Sequence, residues 1–204
     1  MTQISIEFIK DRIVQPLPGM KAHLKMTPYR ALTKIIPENR REGAVLILLY
    51  KKNGEYYFPL TLRHDYKGTH ANQISFPGGK IEKQDATILD AALRETNEEI
   101  GVELEKIIYL GELTQIYIPP SNFLVSPFIG LYEGEPLFIK EEKEVKEIIE
   151  IPLKSILNEK NVGNTQVSIQ GGMKLETPYL NLENNVVWGA TAAILSELKE
   201  IIQS

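Results

Sequence analysis

The sequence predicts an α/β (α+β) domain, a mixed β-sheet covered by helices in an α/β/α sandwich. Three observations lead there. Strand-like runs outnumber helical ones, the helical stretches are dispersed along the chain, and neighbouring strand-like runs are joined around Asn53-Gly54 and Gly171-Gly172. With 204 residues, 43% hydrophobic and 25% charged, the chain is long enough for one domain with a sizeable core. Residues 1–40 read as an N-terminal helix and irregular extension packed on a main domain of residues 41–204.

The elements follow in chain order. Ile6, Ile9 and Ile13 share one face of a short helix that Pro16, Pro18 and Gly19 bring to an end. A polar, irregular stretch runs on to Arg41. "GAVLILLY" (43–50) and "YYFPLTLR" (56–63) read as strands, with Asn-Gly between them as a hairpin turn. Pro59 lacks a backbone N–H, which weakens the second strand or makes it an edge. After a helix over 87–100, "IIYLGELTQI" (107–116) and "FLVSPFIGLY" (123–132) are strand-like, separated by "YIPPSN". An acidic, lysine-rich turn region starts at Glu133, "VKEIIEI" (145–151) is strand-like, and Pro152 opens a short helix to Leu157. "TQVSIQGGMKLETPYL" reads as a hairpin, and Ala190, Ile194, Leu198 and Ile201 mark a final helix from about Gly189.

The helix over 87–100 carries the chemistry. Leu89, Leu93, Thr96 and Ile100 form a mostly apolar stripe that should face the core, and Glu95, Glu98 and Glu99 form an acidic patch on another face. Like charges three or four residues apart destabilise a helix by roughly 0.2–0.5 kcal/mol per pair. Glu98 and Glu99 also sit in the last turn before Gly101, where the helix dipole disfavours carboxylates. One reading is a solvated acidic face. The other is a set of oxygen ligands for a hard cation such as Mg²⁺ or Mn²⁺. Upstream, Pro77, Gly78 and Gly79 make a turn through which main-chain groups can approach a ligand or metal closely.

Bulk properties exclude several classes. A net charge of −4 and a pI near 5.5 give no basic surface for nucleic acid. The absence of cysteine rules out disulfides, thiolate nucleophiles and Cys-containing zinc sites. His23, His64 and His70 are too scattered for a metal cluster, and His23 and His64 read as surface residues. The N-terminus has charges among its apolar positions, unlike a secretory signal, and no segment reaches transmembrane length. The expected setting is therefore cytoplasmic, without membrane or nucleic-acid partners, and with monomer and homodimer both open.

The stretch "GGKIEKQDATILDAALRETNEEIGV" resembles the Nudix box, whose core is R-E-U-x-E-E-x-G-U with U bulky and aliphatic. Arg94, Glu95, Glu98, Glu99, Gly101 and Val102 match it. The box usually has a glutamate eight residues before the arginine; here that position is Ala86, with Asp85 beside it. The spacing from Gly79 to Arg94 is one residue longer than usual, and Thr96 stands where an aliphatic residue is common. Upstream, "LTLRHDYKGTHANQISFPGG" resembles the extra motif of Nudix coenzyme A pyrophosphatases at Leu60, Arg63, His70, Gln73 and Phe76 to Gly79. The longer glycine spacing is that subfamily's habit as well, whereas His64, Lys67, Gly68 and Asn72 depart from its motif. Likeness in "SNFLVSPFIG", "EVKEIIEIPL" and "WGATAAIL" extends the resemblance over most of the chain from about Arg40 to Leu195.

The resemblance implies a Nudix-type sandwich with a loop–helix–loop box, binding a small-molecule nucleotide and cleaving a diphosphate bond with Mg²⁺ or Mn²⁺. Coenzyme A or acyl-coenzyme A is the favoured substrate; the alternatives are ADP-ribose or another nucleoside diphosphate derivative, or, given Ala86 at the usual glutamate position, a non-catalytic nucleotide-binding protein on this fold. Glu95, Glu98 and Glu99, with the Gly79 carbonyl, would be metal ligands, and Arg94 would orient a carboxylate. Arg63 either pairs with a substrate phosphate or decorates the surface; His70 and Gln73 either read substrate or hold their loop. The general base stays open among Glu98, Glu99, Glu144 and Glu147. Trp188 fits packing as well as base stacking.

Overall fold

The computed structural model describes residues 4–28, 36–64, 73–168 and 174–204. The Gly171-Gly172 turn and His70 lie outside these residues. In chain order come α1 (Ile6–Ile13), α2 (Met20–His23), β1 (Arg41–Lys52), β2 (Glu55–Arg63), β3 (Ile74–Ser75), β4 (Gly78–Lys80) and α3 (Ile88–Ile100). They are followed by β5 (Ile107–Glu112), β6 (Ile116–Ile118), β7 (Phe123–Tyr132), β8 (Val145–Pro152), β9 (Val162–Ser168), β10 (Lys174–Leu182), β11 (Asn185–Trp188) and α4 (Gly189–Gln203).

The main sheet is mixed, in the order β3-β2-β1-β7-β5, with β4 added to β1, β6 to β7 and β8 to β2. Strands β1 and β7 run parallel, while β5 and β6 pair antiparallel with β7. Strands β11, β10 and β9 form a second, three-stranded sheet.

Strand β1 is apolar on both faces because both are covered. Ala44, Leu46, Leu48 and Tyr50 pack with Ala91, Ala92 and Ile100 of α3. Ile47 and Leu49 point the other way, into a larger core shared with Ile9 and Ile13 of α1 and Leu195 and Leu198 of α4. The period-two alternation of a strand thus separates two cores, and helices on either side make the expected α/β/α sandwich.

Local signals set the turns. Asn53 and Gly54 both have positive φ (51° and 82°) between the paired residues Lys52 and Glu55, as a two-residue primed hairpin requires. The edge expectation for the following strand is corrected. Pro59 is buried within β2, which has β1 and β3 along its length and β8 beside them. Residues 55–57 pair with β1 and residues 61–62 with β3, so Pro59 falls between two short ladders on that side, while on the other side it stands opposite Glu150 of β8.

Two other expectations change. The run 107–116 breaks after Glu112, because the Thr114 N–H and hydroxyl both donate to Glu197 of α4, at 3.1 and 2.6 Å. The stretch before Arg41 contains α2, whose entry is fixed by Gly19 N–H donating to the same carboxylate at 2.9 Å. His23, expected at the surface, is 1% exposed and bonds Glu197 Oε2 at 3.0 Å. A carboxylate only accepts, so His23 Nε2 carries the proton. Among the described residues no helix is long and apolar enough to cross a membrane.

Candidate active site

Helix α3 begins with a capping box. Asp90 N–H donates to Thr87 Oγ1 at 3.1 Å and Thr87 N–H donates to Asp90 Oδ2 at 2.9 Å, satisfying two donors of the first turn reciprocally. Gly101, at φ 71°, ends the helix in the left-handed conformation. The segment before β8 then caps it: Ile139 N–H donates to Ile100 O at 2.9 Å and Glu141 N–H to Glu99 O at 3.0 Å. This docking brings two further carboxylates to the acidic face of α3. Glu95, Glu98, Glu99, Glu141 and Glu144 line one cavity of about 270 Å³.

Glu99 is not on a solvated face. Its side chain is 3% exposed, with Gly78 N–H donating to Oε2 at 3.2 Å and Arg63 Nη1 to Oε1 at 3.1 Å. Burial pushes its carboxyl up to about 7, against the opposing pull of Arg63 and the Gly78 N–H. Glu95 is 16% exposed, and burial raises its pKa despite Arg94. Glu98 is the exposed member at 55%. Of the expected stripe, Thr96 and Ile100 are fully buried, Leu89 and Leu93 partly so.

Arg94 ties the box together. Its Nη1 donates to Glu95 Oε1 and Glu98 Oε2, each at 3.0 Å, and Nη2 donates to Lys80 O at 3.2 Å. The rest of the guanidinium is taken by Asp85: Nε to Oδ1 at 2.9 Å and Nη2 to Oδ2 at 3.0 Å. These bonds, chiefly those to Asp85, hold Arg94 above the usual arginine range. Arg94, with the Glu82 N–H, holds Asp85 below the usual carboxylate range. Asp85, one position before Ala86, is thus the acid upstream of the helix that pairs with Arg94. A count forward from Gly79, in place of one back from Arg94, lands the expected acid on Asp85.

Gly79 leaves room for its neighbour. A Cβ there would lie 2.4 Å from the Glu95 carboxylate, so any larger residue shifts the end of that side chain from its place against β4. Arg63 ends β2 at a register shift, where Leu62 faces Glu147 but Arg63 faces Val145. The extra residue, Lys146, lies on β8, which leaves Arg63 opposite Val145, and Arg63 Nη2 reaches the neighbouring Glu144 Oε2 at 3.4 Å. Gln73 joins it through the backbone, its carbonyl accepting from Arg63 N–H at 3.2 Å.

The remaining candidates separate. His64 Nε2 lies 3.1 Å from Glu142 O. Glu147 sits opposite Leu62 in the β8 ladder and does not line the cavity. Trp188 pairs with Tyr179 at the entry to α4, also outside the lining residues. Glu141, which the sequence did not single out, lines it. Its only sequence signal is membership of the acidic run after Glu133, which does not distinguish it from its neighbours.

The donor set suits a hard cation. Five carboxylates face one cavity, and two of them are driven toward protonation by burial that nearby arginines do not offset; additional positive charge is what such a cluster needs. As they stand, among the described residues no three of these side chains converge around one ion-sized point. Arg63 and Arg94 hold several of the oxygens instead.

Comparison with known proteins agrees with this geometry. Residues 40–168 match the NUDIX domain model. The chain is 33% identical over 162 residues to the Nudix hydrolase NudL of Yersinia enterocolitica, spanning 79% of this chain and 82% of that one. It is 30% identical over 170 residues to NudL of Photorhabdus laumondii, spanning 83% and 89%. In fold it is similar to the Nudix hydrolase RenU of M. smegmatis, with a TM-score of 0.57 at 13% identity over 87% of this chain and 93% of that one. A MutT/nudix family protein of Enterococcus faecalis gives 0.52 at 15% identity, over 100% and 76%. The domain match covers more than half of the chain and carries the acidic helix with its glycine approach, so the chain belongs to the Nudix hydrolase family.

Proposed function

We propose that this protein hydrolyses the diphosphate bond of a nucleoside diphosphate derivative with Mg²⁺ or Mn²⁺, and that coenzyme A or an acyl-coenzyme A is its substrate. The products are 3′,5′-ADP and the corresponding 4′-phosphopantetheine. The observation that carries the reaction is the cavity of five carboxylates beside the Arg63 guanidinium. The preference for coenzyme A rests on the upstream residues Leu60, Arg63, His70, Gln73 and Phe76 to Gly79.

Glu95, Glu98 and Glu99, with the Gly79 carbonyl, are the ligands in this reading. A divalent ion held there supplies charge neutralisation of the diphosphate and Lewis acidity toward its oxygens. The chain's own groups do the rest. Arg94, fixed by Asp85, orients Glu95 and Glu98, and the guanidinium fork of Arg63 matches phosphate oxygens.

A general base has to meet water. Glu144 and Glu98 are each 55% exposed, whereas Glu99 is enclosed at 3%; with Glu98 and Glu99 taken as ligands, the proton from the attacking water is assigned to Glu144.

The test is hydrolysis of coenzyme A with each metal, products separated by chromatography, beside ADP-ribose and a Glu98→Gln control. Release of 3′,5′-ADP that disappears in the control supports the assignment. Equal or faster turnover of ADP-ribose rejects the coenzyme A preference, and silence on both rejects the reaction.

A further inference from the structure

Arg63 and Glu144 are 81 positions apart in sequence, yet one guanidinium joins Glu144 to Glu99, at 3.4 and 3.1 Å. Three features suit Arg63 to this position. The register shift at Leu62/Arg63 skips Lys146 of β8 and sets Arg63 opposite Val145, next to Glu144. Pairing of β2 with β8 delivers Glu144 beside it, and docking of the Glu141 segment onto α3 delivers Glu99 to the same point. Its side chain remains 24% exposed, so it has room to leave.

We propose that Arg63 is an internal counter-cation of the metal site: it neutralises Glu99 and Glu144 in the metal-free protein and exchanges with the incoming divalent ion. The inference rests on the Nudix reading of the same carboxylates. Without Arg63, Glu99 would be enclosed with the Gly78 N–H as its side-chain partner among the described residues, beside Glu95 and Glu144 of like charge, a costly arrangement for a buried carboxylate. With Arg63 in place, Glu99 Oε1 is committed to a guanidinium. An ion that takes Glu99 displaces the guanidinium, which then faces the cavity where the ion's phosphate ligand would lie. One side chain thus serves two states in turn, and metal binding is coupled to presentation of a phosphate-binding fork.

The role differs from plain substrate binding in what it does when no substrate is present. Mn²⁺ binding to the intact chain, without nucleotide, is measured by calorimetry or by the Mn²⁺ paramagnetic signal, for the wild type, Arg63→Met and Arg63→Lys. Removing a competing cation from a partly buried pair should tighten Mn²⁺ binding about three- to tenfold in Arg63→Met. Arg63→Lys, with one ammonium in place of a two-armed fork, should fall between. The metal-free Arg63→Met protein should melt below the wild type and gain more from saturating Mn²⁺. Mn²⁺ affinity in Arg63→Met equal to or weaker than wild type overturns the proposal. If Arg63→Met does not fold, Arg63→Lys decides on the same criterion. Failure of the wild type to bind Mn²⁺ at all instead overturns the metal-dependent reading on which this inference stands.

Discussion

Asp85 grips Arg94 through two parallel contacts, Nε to Oδ1 at 2.9 Å and Nη2 to Oδ2 at 3.0 Å. That leaves Nη1 for Glu95 and Glu98. An acid outside the helix therefore fixes the direction of an arginine inside it, and through it two carboxylates. Asp85→Ala should lower activity or metal affinity about ten- to hundredfold, the usual effect of losing a partner that orients a ligand. Asp85→Glu should recover part of the loss. Steady-state kinetics with a metal titration checks this; an Asp85→Ala enzyme as active as the wild type sinks the positioning role.

Gly79 offers a sharper steric test. Any β-carbon there meets the Glu95 carboxylate at 2.4 Å, so Gly79→Ala should push that carboxylate out of the cavity. The expected outcome is loss of Mn²⁺ binding and turnover with a circular dichroism spectrum like the wild type's. Retained Mn²⁺ affinity would show that Glu95 has another place to bind from.

Glu144 and Glu147 are three residues apart and differ in placement alone. Glu144 lines the cavity, whereas Glu147 is held in the β2–β8 ladder outside its lining. Glu144→Gln should lower kcat by about 10²-fold, the scale of a lost proton acceptor. Glu147→Gln should leave kcat within a factor of two of wild type, since it touches none of the proposed machinery. The reverse pattern would move the base to Glu147.

The buried carboxylate of Glu197 predicts acid sensitivity. Burial alone raises its pKa, but hydrogen bonds from His23, Thr114 and Gly19 outweigh it, so the carboxyl titrates below the ordinary glutamate value of 4.5. A group whose folded pKa is depressed stabilises the fold fully above its unfolded pKa and loses that contribution as pH falls through the folded value. Glu197→Gln should therefore cost about 3 kcal/mol near pH 7, as for a charged buried hydrogen-bond hub. The gap from wild type should shrink below about pH 4. Urea denaturation at both pH values decides it, and a gap independent of pH contradicts the assignment.

Much of the architecture was legible because its causes are local. The Asn53-Gly54 turn, the Gly101 stop and the run of β1 depend on residues within a few positions, where backbone preference and side-chain period act directly. The acidic helix and its glycine approach were legible for the same reason, down to Arg94, Glu95, Glu98 and Glu99. Pro59 misled because a strand between partners can still contain a gap that tolerates proline, and gaps are a property of the whole sheet.

What tertiary structure alone decided is which distant groups meet. No sequence period links Arg63 to Glu99 and Glu144; the β2–β8 register and a bulge do. The same holds for the choice of Glu141 over Glu147 and for His23, whose burial follows from α4 carrying Glu197 to Gly19 and Thr114. Sequence by itself determined most of the elements and the acidic helix, since propensity and amphipathic period are short-range. Charge balance in the site was left to the packed chain, because an ion pair depends on distance and burial that only the assembled sheet and helices create.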